Sequence, residues 1–154
     1  MRRWIGLAAS LVVAAGLVAV GGTSASAATP AAQPATCSGT IHITSFAFQP
    51  STVAPGQSSA ATLATRNCTA QTVQANSYWF GTWVGSTTGI PAGCPVIDPL
   101  PRAVTFAPYA RTTLSTSYLV FPSCTATALQ VTVRIVGSGG ATLASRTATL
   151  TIQH

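Results

Sequence analysis

Few residues in this chain could carry out acid-base or nucleophilic chemistry. Among its 154 residues Asp98 is the sole acid, and His42 and His154 are the sole histidines. Catalysis by paired carboxylates needs two acids, so that class is excluded. A Ser-His-Asp triad would have to combine Asp98 with one of the two histidines, and the chain contains no Gly-x-Ser-x-Gly nucleophile motif. We therefore expect no enzymatic activity and no catalytic residue.

The sequence also lacks the residue patterns that metal binding and cofactor chemistry require. A metal site would have to use His42, His154 and Asp98, and no spacing motif brings these three residues together. The chain has no lysine and no glutamate, and it has no glycine-rich phosphate loop. Schiff-base and phosphoryl chemistry depend on those features. The sequence therefore predicts neither a metal nor a cofactor.

An aromatic cluster is the first candidate for ligand binding. Trp79 and Trp83 lie four positions apart with Gly81 between them, and Tyr78 is adjacent. On a sheet face, two indoles at this spacing could stack on sugar rings; in the alternative interpretation the tryptophans fill the core. The two faces of a regular strand cannot both fill the core, so one aromatic set should face solvent. We predict a ligand site, for a polysaccharide or a protein, at Tyr78, Trp79 and Trp83.

A proline-stiffened loop, residues 94–100, is the second candidate. Its string Cys94-Pro95-Val96-Ile97-Asp98-Pro99 is similar to the reactive loop of secreted subtilisin inhibitors. The resemblance implies a protease inhibitor with Val96 near the specificity position. The loop is one residue shorter than in that family, and the chain lacks the family's helices. The alternative is a crossover loop made rigid against proteolysis. The inhibitory loop would comprise Cys94, Pro95, Val96, Ile97 and Asp98.

The N-terminal residues indicate export. Met1-Arg2-Arg3 is followed by an uncharged apolar run from Trp4 to Val20, and then by the small-residue pattern Ala25-Ser26-Ala27. This order is typical of a secretory signal peptide, with cleavage after Ala27. The alternative is a retained membrane anchor. We expect a signal peptide at 1–27, a flexible lead-in at 28–36, and one secreted domain at 37–154 with no membrane attachment after cleavage.

The charge of the exported part is low and dispersed. Without Arg2 and Arg3, five arginines remain against Asp98, a net charge of +4. The arginines stand singly in five segments, whereas a nucleic-acid surface needs them clustered. We therefore expect no binding to nucleic acid. We also expect a monomer whose partner is an extracellular polysaccharide or protein.

Short alternating runs between turn residues predict an all-β fold. No segment has sustained apolar residues at helical spacing, whereas β patterns recur about every dozen residues. In the first run Ile41 and Ile43 share one parity and Phe46 and Phe48 the other, which predicts a bulge near Ser45. Leu143 breaks the register of the last run, which predicts a second bulge near Ser145. About seven strands are expected, at 40–48, 58–67, 72–85, 103–106, 112–121, around 129–135 and through 148–152.

This pattern resembles secreted bacterial immunoglobulin-like domains. The resemblance rests on the Ser45-Phe46 pair, the run Pro50 to Gln57, the string Arg66-Asn67-Cys68-Thr69, and the glycine-rich final hairpin. It implies an immunoglobulin-like Greek-key sandwich used for binding or at the cell envelope, with no assigned site residues.

The four cysteines behind an export signal predict two disulfides. In a sandwich of this type the first strand starts where the second ends, which favours Cys37–Cys68. The third strand's loop then meets the start of the sixth strand at the other pole, which favours Cys94–Cys124. The next alternative pairs 68 with 94 and 37 with 124, and sequence alone leaves three pairings open.

Overall fold

Alternating apolar residues between turns produce eight β-strands in the computed structural model. The structure describes residues 37–85, 89–97 and 99–154. The predicted signal peptide (1–27), the lead-in (28–36) and Asp98 lie outside these residues. The strands are β1 (Ile41–Gln49), β2 (Thr52–Val53), β3 (Ser58–Asn67), β4 (Val73–Val84), β5 (Arg102–Phe106), β6 (Arg111–Leu119), β7 (Ala128–Gly137) and β8 (Thr142–Ile152).

The strands form two sheets, which confirms the all-β prediction. One sheet has the order β1-β3-β6 and the other has the order β2-β8-β7-β4-β5. All neighbours are antiparallel except β2 and β8, which run parallel. Within the described ranges, no helix has the length and apolarity needed to cross a membrane.

The strand count exceeds the expected number by one. Sequence patterning missed β2 because two residues are too short to show alternation, and prolines flank them at Pro50 and Pro55. Thr52 and Val53 pair with Thr151 and Ile152 at the end of β8. The chain thus leaves the three-stranded sheet after β1 and joins the five-stranded sheet before it returns as β3.

The middle strand of the five-stranded sheet is β7 and not the aromatic strand β4. Both faces of β4 carry large side chains, whereas the alternation of β7 is strict. Its four inward residues are fully buried, as their alternation predicts: Leu129, Val131, Val133 and Ile135.

The core lies between the two sheets and combines aromatic and aliphatic side chains. Phe46 packs edge-on against Trp79, with ring centroids 5.5 Å apart and an interplanar angle of 76°. Phe48 packs on Tyr118 at 5.8 Å. Edge-to-face packing of this kind is a favoured aromatic geometry. The largest fully buried aliphatic residues are Leu63, Leu129, Ile135, Leu150, Val120, Val131 and Val133.

Both expected bulges occur. The β1–β3 register shifts between Ile43 and Ser45. Because of this shift, Phe46 and Phe48 face the core although they have the opposite parity to Ile41, which is also buried there. The second shift falls where Ala144 and Thr142 pair with consecutive residues of β7. The extra residue there is Leu143, two positions before the expected site.

Two disulfides close the sandwich, with the predicted pairing. Cys37 is bonded to Cys68 where β3 ends, and Cys94 is bonded to Cys124 before β7 begins. The first bond lies near the start of β4 and the second near its end. The disulfides therefore lie at opposite poles.

Asn67 organises the pole that holds the first disulfide. Its side chain is fully buried. The amide nitrogen lies 2.7–3.2 Å from the carbonyl oxygens of Gln71, Phe106 and Ala107, which share its two hydrogens, and Oδ1 accepts from the backbone N–H and the hydroxyl of Thr69. One side chain thus satisfies the polar backbone of two loops that would otherwise be buried without partners.

Candidate functional site

The two faces of β4 divide its aromatic residues as expected. Trp79 and Trp83 face the core and are only 3% and 8% exposed. Tyr78 and Phe80 face outward from the five-stranded sheet. Because the two indoles are buried, their faces are not open to a stacked sugar ring. Of the three predicted ligand residues, Tyr78 alone lies on the outer face.

The surroundings of Trp79 are those of a core residue. Arg102 places its guanidinium carbon 5.8 Å from the centre of the indole ring. The indole N–H donates to the hydroxyl of Ser77 at 3.4 Å. Together with the Phe46 contact, these interactions occupy both the ring and its polar edge.

The outer aromatic pair is also internally packed. Tyr78 and Phe80 stack at a centroid distance of 6.2 Å and an interplanar angle of 16°. The guanidinium of Arg134 lies 5.7 Å from the centre of the Phe80 ring. Since the rings face each other and the arginine, they do not offer the flat platform on which sugars stack.

Beyond Ser77, none of the described strands pairs with β4 on the β5 side. β5 pairs only with Val73–Ser77, so the second half of β4 is flanked there by the connection that leads to Arg102. This connection contains Pro91, Pro95, Pro99 and Pro101, which have no backbone N–H to donate to a ladder. The described residues between Gly85 and Arg102 accordingly form no strand. The predicted inhibitory loop lies in this connection.

The first attachment of the loop is the Cys94–Cys124 disulfide with its neighbours. The backbone N–H of Thr125 donates to the carbonyl of Ala92 at 3.0 Å. Gly93 has φ of +71°, and a Cβ at this position would collide with the backbone carbonyl of Ser123. Only glycine therefore lets the two segments approach closely enough for the disulfide.

The second attachment uses the inner face of β4. Trp83 donates its indole N–H to the carbonyl oxygen of Pro95 at 2.7 Å. Ile97 fills the space above Gly81, where a Cβ would lie 2.5 Å from the isoleucine Cδ1. Residues on both sides of Val96 are thus bound to the body of the domain.

Val96 itself projects into solvent. It is 77% exposed, the highest value among the large apolar side chains of the described residues. Beneath it lies a cleft of about 320 Å³ lined by Gly81, Thr82, Trp83, Gly89, Ile90, Val96 and Ile97. Ile90, which lines the same cleft, is 53% exposed, and Leu100 is 65% exposed. Exposed apolar side chains around one cleft, such as Val96 and Ile90, are typical of an interaction surface.

The histidines do not join this site. His42 Nδ1 lies 3.4 Å from the hydroxyl of Ser38 near the first disulfide, whereas His154 Nε2 lies 2.9 Å from the carbonyl of Ala126 near the second. The part of the chain that the structure describes contains no group of three potential metal ligands.

The sequence indicates the loop but not what supports it. The pattern around Trp83 predicts a ligand-stacking or core residue and gives no sign that its indole N–H donates to Pro95. The available signal was Gly81, a glycine at the centre of an otherwise bulky strand, which indicates close approach of another segment. Ile90 carried no recognisable motif.

No protein-family model matches the chain, and no curated protein matches it. Among solved structures, the alkylpurine DNA glycosylase AlkC of Pseudomonas fluorescens, bound to DNA containing an abasic site analogue, is similar with a TM-score of 0.53 and 12% identity. The match covers 77% of this chain and 32% of the glycosylase, so the chain corresponds to about a third of that protein. At this identity the likeness concerns the fold alone.

Two further structures match with lower scores. A Niemann-Pick type C2 protein from Japanese carpenter ant has a TM-score of 0.47 and 9% identity over 76% of this chain and 96% of its own. A β-glucosidase from Listeria innocua has a TM-score of 0.38 and 8% identity over 73% of this chain and 15% of its own. The fold and the disulfides of the described residues define the class of molecule: a two-disulfide β-sandwich in which the exposed Val96 lies between two attachments to the domain.

Proposed function

We propose that this protein is a secreted, non-enzymatic binding protein that inhibits an extracellular protease through the loop Cys94–Leu100. The observation that carries the proposal is the exposed Val96, held between two attachments to the domain body. The buried tryptophans count against the other candidate, a sugar-stacking site at Tyr78, Trp79 and Trp83.

The attachments lower the cost of binding. A flexible loop loses conformational freedom when a protease holds it, at about 0.5–1.5 kcal/mol for each immobilised side chain. Here the disulfide at Cys94 and the Trp83–Pro95 hydrogen bond restrict the loop before the partner arrives. Pre-ordering of this kind converts more of the contact energy into affinity.

The same attachments oppose cleavage. If a protease cuts the peptide bond after Val96, Pro95 remains bonded to Trp83 and Ile97 remains packed over Gly81. The two new ends therefore stay close together, so that resealing competes with their separation. A loop with free ends would instead be released as product.

Val96 also defines the class of protease. A β-branched apolar side chain of moderate size fits a shallow apolar specificity pocket and lacks the charge that a trypsin-like pocket selects. We propose proteases of the subtilisin and elastase type as partners.

We further propose an immunoglobulin-like Greek-key topology and export to an oxidising compartment. The strand order supports the topology, because a sheet of β1-β3-β6 faces one in which β8, β7 and β4 are consecutive. The two disulfides support the compartment.

The test is an inhibition assay of the purified protein against subtilisin, pancreatic elastase, chymotrypsin and trypsin. We expect inhibition of subtilisin or elastase at submicromolar concentration. Val96→Lys should abolish that inhibition and create inhibition of trypsin. Tyr109→Lys is the matched control, since it places the same charge on an exposed large side chain beside Thr69, at the opposite pole from the loop, and it should preserve the original specificity.

Two results would overturn the proposal. One is the absence of inhibition of all four proteases by the folded protein. The other is an equal effect of Val96→Lys and Tyr109→Lys, because the specificity would then not depend on Val96. Circular dichroism and mass spectrometry of both disulfides establish that each variant is folded.

A further inference from the structure

We infer that the margin between β1 and β8 is a binding site for an extended, acidic peptide strand from another protein. The inference is independent of the protease loop, which lies near the opposite pole. It rests on an open strand edge, a groove of mixed polarity beside that edge, and one arginine that lines the groove.

The open edge belongs to β8. This eleven-residue strand pairs with β7 along its length, but β2 covers its other side only at Thr151 and Ile152. On that side the N–H of Thr151 donates to the carbonyl of Ser51, and the N–H of Gln153 donates to that of Val53.

Backbone groups alternate sides along a strand, so every second residue of β8 presents its N–H and C=O to the β2 side. By this alternation Ser145, Thr147 and Thr149 direct their backbone groups outward beyond the end of β2. None of the described residues provides them with a backbone partner. All three residues are exposed. Unpaired groups in a row are a template for one more strand.

A groove of about 530 Å³ follows this edge. Its lining is mixed and more polar than apolar: Ser38, His42, Ser145 and Arg146 contribute polar groups, and Leu143 and the isoleucines of β1 contribute apolar ones. A strand added to β8 could therefore turn every second side chain toward a lining that offers both Arg146 and apolar side chains.

Arg146 determines which strand fits. It is an inward-facing residue paired with Val133, and its guanidinium reaches across the margin to the carbonyls of Ile43 and Thr44 at 3.4 and 3.5 Å. These distances exceed the usual 2.7–3.2 Å range, so the contacts are weak. An incoming carboxylate would form a shorter, charge-assisted pair with the same donors.

The occupant comes from another protein. A second copy of this chain offers no acidic strand, because the eight described strands contain no aspartate and no glutamate. Residues 28–36 contain no acid either. The complementary segment is an extended one with a central acidic residue flanked, at alternate positions, by apolar ones.

The test uses the full chain and a blocked synthetic peptide, Thr-Val-Thr-Glu-Thr-Val-Thr, with a second peptide carrying Lys in place of Glu. We expect the first peptide to bind in a fluorescence-polarisation assay at least tenfold more tightly than the second. Arg146→Gln should remove this preference. Hydrogen exchange should show fast exchange of the amides of Ser145, Thr147 and Thr149 in the free protein and protection in the complex.

One substitution tests the contribution of the open strand edge to peptide binding. Thr147→Pro removes an outward N–H without breaking the ladder to β7, and should weaken peptide binding at least tenfold, whereas Thr147→Ala should bind as the parent does. Retention of both disulfides and of protection at the β7 amides establishes that Thr147→Pro is folded.

Three results would overturn the inference. They are equal binding by the two threonine variants, lack of binding by either peptide to the parent protein, and amides of Ser145, Thr147 and Thr149 that are already protected in the free chain. None of them depends on whether the protein inhibits a protease.

Discussion

The indole nitrogen of Trp83 lies 2.7 Å from the carbonyl oxygen of Pro95, so a buried residue of β4 holds the residue that precedes the exposed Val96. This hydrogen bond joins the core to the proposed inhibitory loop. Its removal should therefore affect the loop more than the fold.

Trp83→Phe retains an aromatic side chain and removes the donor. A neutral hydrogen bond contributes about 1 kcal/mol, so inhibition should weaken about fivefold and cleavage within the loop should accelerate. The inhibition constant and the rate of loop cleavage by mass spectrometry are the measurements. Trp79→Phe is the control, because its indole N–H contacts Ser77 rather than the loop. Equal effects of the two variants would show that the Pro95 bond is not what orders the loop.

The two disulfides allow a comparison of stability with loop restraint. Their sequence separations are 31 and 30, so the chain-entropy model assigns each roughly 3–4 kcal/mol. Replacing either pair with alanine should lower the free energy of unfolding in urea by a similar amount. Only the loss of Cys94 and Cys124 should make the loop a rapidly cleaved substrate. Rapid cleavage after loss of Cys37 and Cys68 as well would mean that global unfolding, not loop release, exposes the bond.

Asn67→Ala should be among the most destabilising polar substitutions in the domain. It leaves three buried or partly buried carbonyls without their donor. Each unsatisfied group costs about 1–3 kcal/mol, so a loss above about 3 kcal/mol is expected in urea unfolding. Asn76→Ala, on the outer face of β4, should change stability by less than about 0.5 kcal/mol. A small effect at Asn67 would indicate that water replaces the amide.

Tyr118 should make stability depend on alkaline pH. Its hydroxyl is buried without a hydrogen-bond partner among the described residues, and burial raises the pKa of Tyr118 to about 12, against a smaller lowering by Arg102. The unfolded chain ionises this phenol near pH 10, whereas the folded chain keeps it neutral. The contribution is therefore complete below pH 10 and is lost as pH rises toward 12.

Tyr118→Phe removes this titration and also removes an unsatisfied polar atom. Its free energy of unfolding at pH 7 should equal or exceed that of the parent protein, and the difference in favour of Phe should widen between pH 10 and 12. Urea unfolding at pH 7, 9, 10 and 11 measures both effects. A constant difference across that range would contradict the raised pKa.

Much of the fold is predictable because most strands carry a clear local sequence signal. Strict alternation from Leu129 to Ile135 predicts a strand with one buried face, and a turn and a cysteine mark the ends of Ser58–Asn67. Both strands occur in the structure. The parity change after Ile43 likewise required a bulge. β2 escaped prediction because its pairing with Thr151 depends on residues about a hundred positions away.

The candidate site was predictable only in part. The sequence indicated that one face of β4 is exposed, but the choice of face depends on which sheet covers it, and this is a tertiary property. Likewise, a string of prolines around Val96 indicates a stiff loop, yet nothing local reveals that Trp83 and Gly81 support it. The open edge of β8 could not be inferred, because it follows from the shortness of β2.

The two disulfides mark opposite ends of the domain. Cys37, where the described chain begins, lies near the start of β4, and Cys94 lies beyond its end, roughly 35–40 Å away for twelve extended residues. A bead or fluorescent label attached to the domain beside Cys37 would therefore be joined to it at the pole remote from Val96.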